Sequence, residues 1–239
     1  MVLLKDIFDL LATGELSNIK LNKMASGEIG EEDYPAIVGH INLGLMELYK
    51  RFNLRQAYLN LHILPGTDTY YLRPSKVSLV ENMDDRTYIE RGAGCDDDFA
   101  VLKVVQVYNA DGVLQKLNDM RAALRIISVT QDTLHIAPIE SAEVLTLMYQ
   151  TSPVKIVIED DFDPEETFID IPQAIIEPLL YYVASRVFQP IGANSSTPDA
   201  DKSAVYMNQY EMACAKIGQY GLDTQVNDAR QGFQEGGWV

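Results

Sequence analysis

The stretch EDDFDPEE, Glu159 to Glu166, carries six carboxylates in eight residues, a density at which oxygen ligands can chelate calcium or magnesium. Its spacing argues against that chemistry. An EF-hand loop needs a glycine at its sixth position and a glutamate at its twelfth, and neither stands here. A metal-dependent hydrolase using Asp160, Asp161 and Asp163 is the least implausible enzyme that can be drawn from the chain. The plainer reading of the stretch is a solvated linker that spaces two domains. GAGCDDD, Gly92 to Asp98, resembles a loop more than a phosphate cradle, because no lysine follows its glycines and three aspartates repel phosphate.

The remaining reactive side chains do not assemble into a mechanism. His40, His62 and His135 fall on a helix and two different strands, in no H-x-x-x-H spacing, and read as surface or edge residues. Ser141, Ser185 and Ser203 lack a G-x-S-x-G context, and Cys95 has no histidine partner that the sequence identifies. Cys95 and Cys214 are the only cysteines and lie far apart, so neither a disulfide framework nor a zinc site is expected, and a reducing compartment is the default. No catalytic residue, metal ligand or cofactor is assigned.

The elements that would position these residues follow from periodicity. The opening MVLLKDIFDLLATGEL fits a short amphipathic helix and lacks the basic start and unbroken apolar core of a secretion signal. Ile37, Ile41, Leu45, Leu48 and Phe52 recur at helical spacing from Tyr34 onward, with Asp33 as the expected N-terminal cap. After Asn53 the period becomes two. Leu59, Leu61 and Ile63 alternate with Asn60 and His62, Pro65-Gly66 turns the chain, and further strands are expected at Thr69–Leu72, Lys76–Val80, Phe99–Tyr108, Val113–Leu117, Leu124–Thr130, Thr133–Ala137 and Val144–Gln150. Asp111-Gly112 marks a hairpin, and Gln131-Asp132 marks a weaker one.

Helical spacing returns in PQAIIEPLLYYVASRVFQ, Pro172 to Gln189. It is too short and, with Glu177 and Arg186 inside it, too charged to span a membrane. Pro178 predicts either a kink or a late helix start near Glu177. A last helix is expected after GANSST, with Thr197 as cap and Pro198 at its first position, running to about Gln219 with Tyr206, Tyr210, Ala213 and Ile217 in its stripe.

The fold class is therefore α+β: a helical bundle built from both termini, with an antiparallel β-sandwich or barrel inserted between its second and third helices. The expected organisation is residues 1–55 and 172–219 for the helical domain, 56–158 for the β domain, 159–171 for the acidic linker and 220–239 for a flexible docking tail. Phe233 and Trp238 are the tail's aromatic anchors. The C-terminal helices have wider apolar and tyrosine-rich faces than one small bundle needs, which makes Tyr181, Tyr182, Tyr206 and Tyr210 candidates for contacts between subunits, Tyr181 and Tyr182 on opposite sides.

With 19 basic against 35 acidic residues the formal charge is -16, which disfavours gripping nucleic acid and suits a wall that DNA slides past. A carbohydrate-binding sandwich is the alternative class. Such sites present aromatic platforms, and the only tryptophan here is Trp238 in the tail.

Taken in order, INLGLMELYKRF, LNLHILPGTDTYYLRP, DTLHIAPIESAEVLTLMYQTSP and IDIPQAIIEPLLYYVASRVFQ with the helix after it resemble the head-to-tail adaptor proteins of short-tailed and related bacteriophages, over about Tyr34 to Ile217. The resemblance implies a non-enzymatic virion protein. About a dozen copies would form a ring under the portal protein, extend the DNA channel without binding DNA specifically, and present a platform for a tail nozzle or tail tube. It also implies that QVNDARQGFQEGGWV corresponds to a C-terminal segment reaching a neighbouring ring.

Overall fold

The computed structural model describes residues 1–17, 29–78, 86–138, 143–189 and 198–219. In chain order they form β1 (Val2–Leu3), α1 (Leu4–Thr13), α2 (Tyr34–Arg51), β2 (Gln56–Ile63), β3 (Thr69–Tyr71), β4 (Ile89–Arg91), β5 (Val101–Tyr108), β6 (Leu114–Gln115), β7 (Ile126–Thr130), β8 (Thr133–Ile136), β9 (Glu143–Thr151), β10 (Phe168–Ile169), α3 (Ile176–Val187) and α4 (Pro198–Gln219). The class is α+β. The chain divides into two compact units, Met1–Leu54 with Pro153–Val239, and Arg55–Ser152.

In the helical unit, α1 buries Leu4, Ile7, Phe8, Leu11 and Ala12, one face of a 3.6-residue period, and stops at Gly14, whose N–H bonds to Leu10 O. The α2 core stripe is Ile37, Val38, Ile41, Leu45, Leu48 and Tyr49, and Lys50 and Arg51 sit in its last turn, where positive charge suits the helix dipole. Asp33 makes no side-chain capping bond; it closes a short 3-10 turn, Glu31–Asp33, that leads into α2. A similar turn, Gln173–Ile175, precedes α3. Pro178 therefore lies in the first turn of α3, where its missing N–H has no helical partner to lose, and the late start is the outcome observed. Thr197 lies outside the described residues.

The β unit holds eight strands among its described residues, in two antiparallel sheets of order β4-β2-β9-β5-β6 and β3-β8-β7. Alternation along β2 sends Ala57, Leu59, Leu61 and Ile63 into a core shared by both sheets, with Tyr70, Ile126, Leu134 and Ile136 arriving from the smaller one. Buried tyrosines tie down irregular chain there. Tyr70 Oη accepts from Leu64 N–H at 2.8 Å, and Tyr88 Oη accepts from Tyr71 N–H at 2.8 Å. Gly112, at φ +75°, supplies the left-handed residue needed by the turn between β5 and β6.

Two expectations for the β unit change. No strand forms at 76–78, the described residues of the strand expected at Lys76–Val80: Pro74–Lys76 is a 3-10 turn and Val77 makes one isolated bridge to Ile89, while 79–80 lie outside the described residues. A strand does form at β4, pairing with β2 from Leu59 to Leu61, although only one of its three residues is buried.

The acidic stretch changes most. Residues 153–171 belong to the helical unit, and the chain leaves the β unit at Ser152 rather than at 158. Ile156, Pro164, Ile169 and Ile171 are buried among the carboxylates, and β10 pairs with β1. Lys5 N–H bonds to Pro164 O and Leu4 N–H to Thr167 O. Buried apolar side chains, backbone bonds to β1 and the start of α1, and the Phe162 contact with Tyr34 hold this segment on the helical unit, so it is not a solvated spacer.

Candidate functional site

The helical unit presents two faces that chemistry could use. On the first, α3 and α4 run antiparallel. Tyr182 meets Tyr210 edge-on with ring centroids 5.4 Å apart, and Ser203 Oγ donates to Ser185 O further along α3 and back along α4. Tyr181 lies 6.4 Å from Tyr206, which stacks on Phe188 at 5.4 Å and donates its hydroxyl proton to Glu15 O. Both tyrosines of α3 thus reach α4, and the opposite-sides expectation gives way to one shared aromatic seam. Tyr210 is only 5 % exposed, so it has little area left for a neighbour, whereas Tyr181, Tyr182 and Tyr206 remain half-buried.

Beside the seam is a groove of about 420 Å³ lined by Glu47, Lys50, Tyr182, Met207, Tyr210 and their neighbours. Arg51 crosses it, 2.6 Å from Glu211 and over the Tyr210 ring. Burial pushes the Tyr210 and Cys214 hydroxyl and thiol up from their ordinary values, so both stay protonated and neither is a nucleophile at neutral pH. Burial acts on Cys95 in the β unit in the same way.

The second face is acidic. Phe8, Tyr34 and Phe162 form a short aromatic ladder, 5.1 Å and then 5.9 Å between centroids, which brings the start of α2 against the 159–166 stretch. Glu31, Glu32 and Asp33 directly precede Tyr34 in the chain, and six further carboxylates surround Phe162 in its own stretch. Local hydrogen bonds hold the stretch in two turns: Phe162 N–H donates to Glu159 O, Glu165 N–H donates to Asp163 Oδ1 at 2.7 Å, and Thr167 Oγ1 donates to Asp163 O at 2.7 Å. Among the described residues no group of three His, Cys, Asp or Glu side chains is placed to hold a metal ion.

The histidines stay apart. His62 Nε2 lies 3.6 Å from Glu90 on the β unit, and His135 Nδ1 lies 3.5 Å from Thr69 Oγ1. His40 is half-buried on α2, and burial, then the charge of Arg186, lowers its pKa from 6.5. The unfolded chain therefore takes up a proton that the folded chain resists. The associated stability is complete above pH 6.5 and falls as pH drops through the lowered folded value. A thermal melt at pH 7 and pH 5 should show that His40→Gln loses less Tm on acidification than the parent chain.

Phe233 and Trp238 lie outside the described residues. A model of the SU10 adaptor protein family matches residues 16–232. The chain belongs to that family. The match takes in both compact units, so the inserted sheets are part of what makes this chain an SU10 adaptor, and the bacteriophage adaptor resemblance of the sequence is supported by it. A search of curated proteins returned no match. The approach of Tyr34, at the start of α2, to Phe162 is the feature sequence reasoning missed. Phe162, the lone aromatic inside an acidic run, was its signal. No helix among the described residues is long and apolar enough to cross a membrane.

Proposed function

We propose that this bacteriophage adaptor assembles as a ring of about a dozen copies beneath the portal protein in the virion, extends the DNA channel and carries the platform for the tail nozzle or tail tube. The observation that carries the reading is the family match across both units. The charge of -16 supports it physically, because a channel wall that repels phosphate lets DNA slide without sticking. In this reading Tyr181, Tyr182 and Tyr206 keep part of their rings for a neighbouring subunit, and the tail segment with Phe233 and Trp238 is a docking arm.

Mass photometry of the protein mixed with its portal tests the ring. A high-order cyclic complex is expected, and a persistent one-to-one complex, or none, overturns the reading. Binding to duplex DNA at physiological salt is expected to be negligible, and tight salt-sensitive binding would remove the channel role.

A further inference from the structure

We propose that the outer edge of the β unit, residues 113–130, is the docking surface for a second copy of this chain, which meets it with the acidic stretch 159–166 of its own helical unit. The inference rests on the ring reading above and names the faces that join neighbouring copies.

The edge is closed as backbone and open as side chain. β6 ends the five-stranded sheet and β7 ends the three-stranded one, and the chain between them lies along β7. Asn118 N–H donates to Ile126 O, Ser128 N–H donates to Asn118 Oδ1, each at 2.8 Å, and Leu117 bridges Ile126. Strand addition at this point is blocked. Val113, Leu114, Met120 and Val129 are each more than half exposed along the same stretch, apolar area available to a partner.

Charge selects the occupant. Across 113–130 the ionisable side chains are Lys116, Asp119, Arg121 and Arg125, a local reversal in a strongly acidic chain. Lys116 lies 3.8 Å from Asp119, while Arg121 and Arg125 are exposed and make no ion pair among the described residues. The acidic stretch is the complement: its six carboxylates are exposed, none is ion-paired among the described residues, and exposed Val157, Ile158 and Phe168 flank it. Guanidinium forks suit carboxylates, and apolar side chains border both faces. The two faces differ and belong to one chain, so a contact between them is heterologous, the kind that closes into a ring. It also gives copies carrying a charge of -16 one place where approach is attractive.

The test uses two full-length variants, Arg121→Glu with Arg125→Glu, and Glu159→Lys, Asp160→Lys, Asp161→Lys with Glu166→Lys, which turns the stretch net basic and spares the turn-holding Asp163, each first shown by circular dichroism to melt like the parent. Mass photometry with the portal then follows assembly. Each variant alone faces its copies with like charges and should need at least about tenfold more protein to form the cyclic complex, an effect that shrinks in high salt. An equimolar mixture presents opposite charges at every contact and should recover to within about threefold of the parent. Reversals that assemble like the parent, or a mixture no better than either variant alone, overturn the pairing. Rings that form normally but no longer hold the portal assign the edge to the portal and also overturn it. A parent chain that forms no cyclic complex brings down the ring reading itself, a result distinct from the others.

Discussion

Replacing Gly44 by leucine is expected to cost the helical unit about 3 kcal/mol, seen as a lower urea midpoint with little change in slope. Gly44 faces α3 from the middle of α2, buried, and a Cβ built there would lie 2.8 Å from Leu179 Cδ1 and 2.9 Å from Tyr182 Cδ1. Both helices come together at a point where only hydrogen fits. Leucine would have to push α2 and α3 apart or drive Leu179 and Tyr182 from their rotamers, and Tyr182 cannot move without losing its edge-on contact with Tyr210. The disturbance therefore reaches α4. Gly44→Ala separates the two effects. It gains about 1 kcal/mol of helix propensity, and its single methyl meets only side-chain atoms that can shift, so a loss well under that of leucine is expected. Equal losses for alanine and leucine would show that the close approach is not what glycine provides.

Much of this arrangement was legible in order but not in depth. The long periodic helices α2 and α4 and the alternating strand β2 carry their own pattern, because each buries a single face and the period alone exposes it. The same holds for the turn at Asp111-Gly112, where a positive φ demands the residue that stands there. β4 was invisible, since three residues with two exposed have no period, and only the edge of β2 makes them a strand. The tyrosine seam misled for a related reason. Tyr181 and Tyr182 are adjacent on α3 and point in directions that a helical wheel separates, yet α4 is broad enough to meet both through Tyr206 and Tyr210. The acidic face was hardest to read. Its density of charge suggested solvent, while its few apolar residues bond to partners more than a hundred positions away: Phe162 on Tyr34, Ile169 beside Val2, Ile156 on Asn42. Local pattern cannot report contacts of that range, and the composition of the run concealed them.

Asn42 makes the clearest case of such a contact, and Asn42→Leu is expected to release the chain it holds. From within α2 its Nδ2 donates to Ile156 O and its Oδ1 accepts from Ile156 N–H, both at 2.9 Å, so one side-chain amide does the work of a neighbouring β-strand. Ile156 is 9 % exposed, and among the described residues its backbone groups make no other hydrogen bond that would replace these two. Leucine leaves a donor and an acceptor without partners near the core, a loss of about 3 kcal/mol at roughly 1–3 kcal/mol for each group. Local opening should rise with it, by about a hundredfold if the whole cost falls on this segment. Lys155 is exposed immediately before Ile156, which makes trypsin the natural probe. Cleavage after Lys155 should accelerate in Asn42→Leu under native conditions while cleavage after Lys103, on β5 of the other unit, does not. Asn42→Asp keeps the acceptor for the Ile156 N–H but sets a carboxylate oxygen against the Ile156 carbonyl, so it should fall on the side of leucine and not of the parent. If both variants digest at the parent's rate, the segment is held by the burial of the Ile156 side chain alone, and the amide clamp contributes register without stability.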